Sequence, residues 1–141
     1  MAFSKRSKGQ SALEYMVVIS FALLLAAPVI MRAQTSTSNL KDSKRLATAK
    51  NSLNKIQDAS ELVYSQGPPS QLTFSIEVPS RVVNTTVSEE QISMRLKAYN
   101  GVTDIYNIME INVSGNIPES QGVYKMKAKA YQNYVNISKV S

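Results

Sequence analysis

Ten carboxylates are the main acid–base groups of this chain, because its 141 residues include no histidine and no cysteine. Serine and threonine hydroxyls thus lack an imidazole base, thiolate chemistry and disulfides are impossible, and Cys or His metal ligands are missing. Asp42, Asp58, Glu61, Glu77, Glu89, Glu90, Asp104, Glu110 and Glu119 are scattered along the chain. Glu89 and Glu90 form the one adjacent pair, and neighbours in a strand point to opposite faces. There is no phosphate-binding loop, nucleophile elbow or spaced metal-ligand set. The expectation is a protein that is not an enzyme and carries no catalytic residues, cofactor or metal.

Two kinds of chemistry remain. The triplets Asn84-Thr85-Thr86, Asn112-Val113-Ser114 and Asn136-Ile137-Ser138 are N-glycosylation sequons, which suit an exported chain. Glu14 stands immediately before an uncharged run of 17 residues from Tyr15 to Met31. A carboxylate at the start of such a run requires a partner or a favourable helix N-terminus.

The run itself sets the organisation. As a helix it would extend roughly 25 Å, close to a ~30 Å hydrocarbon core. One alternative is a buried core helix, but 141 residues offer little mass to surround it. Another is a conventional secretory signal. This run is longer than that signal's apolar region. Its cleavage positions are also poor, since Pro28 follows Ala27 and Arg32 precedes Ala33. The formal net charge is +6, and Lys5, Arg6 and Lys8 contribute three of those charges. Such basic residues before an apolar span should stay cytoplasmic. Without them 13 cations face 10 anions, a balance of +3, so nucleic acid is not an expected partner.

The stretch Lys8-Gly9-Gln10-Ser11-Ala12-Leu13-Glu14-Tyr15 resembles the class III signal peptide of archaeal type IV pilins. The resemblance implies that a prepilin peptidase cuts between Gly9 and Gln10 and leaves the apolar helix on the mature chain. Glu14 then becomes the fifth mature residue, where pilins carry a glutamate. Its usual proposed partner there is a neighbouring subunit's N-terminal amine, although an N-terminal Gln can cyclise and lose that amine. Further implied partners are copies of the chain itself in a helical polymer, an assembly ATPase, a membrane platform protein, the membrane before assembly, and N-glycans. Glu14, Tyr15, Phe21 and Pro28 become assembly residues. QSALEY does not look like the Gly-rich start of archaellins, and a secretion pseudopilus stays open.

Beyond Ala33 a polar QTSTSN stretch weakens helix propensity. Leu46, Ala49, Leu53, Ile56, Ala59 and Val63 then recur at three- and four-residue steps, the apolar face of an amphipathic helix. Gly67-Pro68-Pro69 should stop it, giving a helix of roughly 80 Å from residue 10, kinked at Pro28.

Residues 71–141 switch to alternation. Leu72, Phe74, Ile76 and Val78 predict one buried face, and Ile92, Met94, Leu96 and Ala98 another. A strand is expected over 82–87, and Asn100-Gly101 signals a hairpin whose return strand spans 102–111. Tyr124, Met126, Ala128 and Ala130 alternate with Lys125, Lys127 and Lys129, and a short strand closes the chain at 135–140. The lysines read either as a surface for polysaccharide, DNA or another subunit, or as a solvated face protecting an edge strand. The segments PSQLTFSIEVPSRV and IPESQGVYKMKAKA look like the β domain that follows this signal peptide in archaeal pilin-like proteins.

The expected class is α+β: a leader over 1–9, a long helix over 10–66 whose part at about 10–33 spans membrane or filament core, and a small antiparallel domain of four to six strands over 71–141. The expected function is a structural subunit of an adhesive surface filament, held in the cytoplasmic membrane before assembly. The alternative is a membrane-anchored extracytoplasmic binding module that does not polymerise.

Overall fold

The computed structural model describes the backbone of residues 2–140 and the side chains of residues 8–140. The expected leader's side chains up to Ser7 lie outside the described residues. The chain forms one helix, α1 (Ala2–Gln66), and seven strands. They are β1 (Gln71–Val78), β2 (Val82–Ser88), β3 (Gln91–Ala98), β4 (Gly101–Ile108), β5 (Val113–Gly115), β6 (Gly122–Ala130) and β7 (Val135–Lys139). Two compact units divide it, Met1–Leu40 and Lys41–Ser141.

In the first unit α1 begins at Ala2 rather than at residue 10, so the expected leader is continuous with the helix. The helix also runs unbroken through Pro28, which removes one donor without ending it. The polar stretch stays helical, and two of its hydroxyls bond back to carbonyls of the preceding turn. Thr35 Oγ1 donates to the Met31 carbonyl at 3.1 Å, and Thr37 Oγ1 to that of Ala33 at 2.9 Å.

The second unit holds the core. Ala49, Leu53, Ile56, Ala59 and Val63 on α1 are buried, as their spacing predicts. They pack with Ile76 and Val78 of β1, Ile92, Met94 and Leu96 of β3, Met126 and Ala128 of β6, and Ile137 of β7. The helix stops where Gly67 turns to a φ of 79°, its N–H donating to the Val63 carbonyl at 3.1 Å. A left-handed residue of this kind caps the last open carbonyls, and glycine adopts it without a Cβ clash.

The strands form two sheets instead of one. The first has the order β1-β6-β7-β5 and the second β2-β3-β4. All pairings are antiparallel except β5 with β7, which is parallel from Val113↔Val135 to Gly115↔Ile137. The strand expected over 102–111 stops at Ile108. Beyond it the Met109 and Val113 N–H groups donate to the carbonyls of Glu90 and Glu89, at 2.7 and 2.8 Å. That exchange turns the chain away from β3 and starts β5, which is too short to show alternation.

The hairpin falls where expected with its turn shifted by one residue. Ala98 pairs with Gly101, so Tyr99 and Asn100 form the turn, and Gly101 follows it at a φ of 140°.

α1 also covers one edge of each sheet. Ser52 Oγ donates to the Glu77 carbonyl at 2.5 Å and accepts from the Glu77 N–H at 3.2 Å, which closes β1. On β4, Asn107 is 5% exposed, and its Nδ2 donates to Asn54 Oδ1 and Gln57 Oε1 at 2.9 Å each, while Lys50 donates to its Oδ1. Buried polar groups without such partners would destabilise the fold by ~1–3 kcal/mol each. At the opposite side Thr85 Oγ1 of β2 donates to the Ile117 carbonyl at 2.8 Å, joining the two sheets beyond β5.

Candidate functional site

Between residues 13 and 31, thirteen large apolar side chains are exposed, among them Leu13, Tyr15, Val18, Phe21, Leu24 and Met31. Successive helical residues are turned by ~100°, so this surface is apolar on every side and not along a stripe. The helix is long and apolar enough to cross a membrane, and none of its apolar window is buried within the chain. Covering each such side chain would contribute ~1.5–3 kcal/mol, so lipid or other helices are strongly favoured around it.

Glu14, Phe21 and Pro28 are seven residues apart and share one face of the helix, whereas Tyr15 lies on another. Glu14 is exposed and makes no ion pair among the described residues. Gln10 precedes it by one turn, on the same side. Gly9 and Gln10 are exposed inside α1. The bond between them is therefore helical, and glycine is the ordinary residue that weakens a helix most after proline.

The three sequons occupy different settings. Asn84 is exposed on β2, an edge strand of its sheet, opposite Arg95. Asn112 is exposed ahead of β5, and its carbonyl accepts from the Val135 N–H at 2.9 Å. Asn136 is half-buried in β7, between β6 and β5. It pairs with Ser114, the hydroxyl residue of the preceding sequon.

The lysine face departs from the edge-protection reading. Lys125, Lys127 and Lys129 stand on the outside of β6, over buried Met126, Ala128 and Ala130. β6, however, lies between β1 and β7, so the lysines protect no edge. None of the three makes an ion pair among the described residues. At the end of this strand Tyr131 and Tyr134 stack with ring centroids 4.9 Å apart.

Several relationships were not visible in the sequence. Glu89 and Glu90 sit in the turn between β2 and β3, not in a strand, and Glu110 is brought beside them by the Met109–Glu90 hydrogen bond. Arg95 Nε and Nη2 donate to Asp104 Oδ1 and Oδ2 at 2.7 and 3.0 Å across β3 and β4. These hydrogen bonds hold the Asp104 carboxyl below the usual carboxylate range, with desolvation opposing them and the Arg95 charge assisting. The groove over this pair is lined by Asn84, Thr86, Ser93 and Tyr106 and contains no second carboxylate. No group of three or more acidic side chains is arranged to hold a metal ion among the described residues.

No family model, curated protein or solved structure matches this chain. The functional reading therefore stands on the residues and their geometry.

Proposed function

We propose that the chain is a structural subunit of a type IV pilus-like surface filament serving adhesion. The observation that carries this reading is the uncharged helix surface from Tyr15 to Met31, exposed on all sides, with Glu14 at its start. KGQSALEY supports it by its resemblance to a pilin processing site.

A prepilin peptidase cuts between Gly9 and Gln10, and the apolar helix holds the mature subunit in the membrane. An assembly ATPase, acting through a membrane platform protein, then moves the helix from lipid into a bundle of like helices. Apolar contact is kept throughout, so the exchange has no large hydrophobic penalty. Glu14 is the exception. In an apolar bundle its carboxylate needs a cation, and a new amine at Gln10 of a neighbouring subunit supplies one. Phe21 and Pro28, on the same face, set how closely the neighbour approaches. Outside the bundle, the domain over residues 41–141 carries its own core and remains folded as the helix changes surroundings.

Mass spectrometry of the mature N-terminus in sheared surface material tests the reading. A start at Gln10, or its pyroglutamate, is expected. A chain starting at Met1 or Ala2 and found only in membranes would establish the anchored binding module instead. Glu14→Gln should still be processed but assemble poorly, and normal assembly of that variant would remove the charge-pair role.

A further inference from the structure

We propose that the lysine face of β6 docks the acidic end of a second copy of this chain, so that outer domains join head to tail. The inference takes its purpose from the filament reading, but it rests on charges of the domain over residues 41–141 alone.

Lys125, Lys127 and Lys129 alternate along one strand, so their bases are ~6.6–6.8 Å apart on one side of the sheet. Their cross-strand neighbours are neutral. Lys129 faces Gln71 and Asn136, Lys127 faces Thr73 and Ser138, and Lys125 faces Ser75. Three like charges thus stand together on an interior strand with no anion paired to them among the described residues. Neither edge protection nor an internal salt bridge accounts for them.

The complementary surface lies on the other sheet. Glu89 and Glu90 form the β2–β3 turn, and Glu110 follows Met109, whose N–H is fixed to the Glu90 carbonyl at 2.7 Å. Glu61 joins them from α1, because Gln57 Nε2 donates both to Glu61 Oε1 at 3.1 Å and to the Ile108 carbonyl at 3.4 Å. Glu89, Glu90 and Glu110 are exposed, and none of the four pairs with a cation among the described residues. By contrast, Asp42 and Asp104 are paired within the domain, with Arg45 and Arg95. Asp58, Glu77 and Glu119 also make no ion pair among the described residues, and Glu77 shares the outer face of the first sheet with the lysines. What sets the two surfaces apart is clustering, three lysines along β6 and four carboxylates around the β2–β3 turn.

An anionic polysaccharide or nucleic acid would satisfy the lysines and leave the carboxylates unexplained. A second copy satisfies both. The contact joins unlike surfaces, so each addition exposes a fresh lysine face or a fresh acidic end, and copies add in an open chain unless the rotation between them closes a ring. Opposed patches of several charges each attract appreciably at low ionic strength and weaken as salt shortens the screening length.

The absence of cysteine makes the contact directly readable. Thr73, exposed beside Lys127, and Ser88, exposed beside Glu89, are both changed to cysteine in the full-length chain (Thr73→Cys with Ser88→Cys), which preserves every charge. Mild oxidation of native membranes and surface material should give a ladder of disulfide-linked multimers that diminishes at high salt. Adding Lys125→Glu, Lys127→Glu and Lys129→Glu should reduce the ladder at least tenfold. Further adding Glu89→Lys, Glu90→Lys and Glu110→Lys should restore it, with thermal unfolding confirming that each variant folds. A ladder without filaments would keep the contact and remove the filament reading. Filaments without a ladder would overturn the contact and leave that reading standing, as would a ladder indifferent to charge reversal. Absence of both would overturn both. No ladder, with lysine-dependent binding of an anionic polysaccharide, would assign the face to that polymer and also overturn the contact.

Discussion

Ser114 Oγ donates to Asn136 Oδ1 at 3.4 Å, so the hydroxyl residue of one sequon is held by the acceptor amide of another. Both are tied into the parallel β5–β7 pairing. Asn84 lies on an edge strand and its own amide makes no side-chain hydrogen bond among the described residues, although Thr85 beside it donates to the Ile117 carbonyl. Glycopeptide mass spectrometry should find a glycan on Asn84 and none on Asn112 or Asn136. Substantial occupancy at Asn136 would mean that modification precedes folding of β7.

Leu53 is fully buried and Leu23 is 66% exposed, although both lie on α1. Leu53→Ala should destabilise the domain by ~2–5 kcal/mol, the usual range for opening a core cavity. Leu23→Ala should leave thermal unfolding of that domain unchanged while reducing the yield of sheared filaments. Equal loss of stability in both variants would contradict the separation of the two units.

Gly115 and Gly101 both adopt a positive φ, at 125° and 140°. They differ in surroundings. A Cβ on Gly115 would lie 1.9 Å from the Ile137 carbonyl oxygen, whereas one on Gly101 would meet nothing within 4 Å. Gly101→Ala should destabilise the domain through backbone strain, by roughly 1 kcal/mol. Gly115→Ala should destabilise it considerably more, because the β5–β7 pairing must separate as well. Chemical denaturation of the two variants provides the comparison.

Arg95 holds the Asp104 carboxyl below its ordinary value, so the folded state binds that proton less readily than the unfolded chain. The resulting stabilisation is fully present above the unfolded-state value and disappears as pH falls through the lower folded-state value. Asp104→Asn should therefore unfold at a lower temperature than the unmodified chain at neutral pH, with the difference vanishing in strong acid. Because the pair is exposed, the effect should be small and should shrink with added salt. A difference that grows on acidification would rule out this account.

The class, an α+β chain with a long helix before a small β domain, was legible in residue order alone. Hydrophobic periodicity is a local property. The uncharged run before Arg32, the three- and four-residue steps from Leu46 to Val63, the break at Gly67-Pro68-Pro69 and the two-residue steps of β1, β3 and β6 all reflect how far apart side chains on one face must lie. The absence of histidine and cysteine likewise narrowed the chemistry before any fold was known. Local signals also located the Asn100-Gly101 hairpin, but not its turn residues, which cross-strand pairing of Ala98 with Gly101 decides.

The tertiary structure decided what depends on contacts between distant residues. Alternation marks a strand's faces but carries no record of its neighbours, so the division into two sheets, the parallel β5–β7 pair and the interior position of β6 had no local signature. For the same reason Lys125, Lys127 and Lys129 suggested edge protection until β1 and β7 were placed on either side of them. The sequence by itself determined which residues carry charge and which faces are apolar. Only the fold determined that Glu89, Glu90 and Glu110 meet at one end and that Asn136 is half-buried between β6 and β5, because hydrogen bonds between residues far apart in the chain bring those groups together.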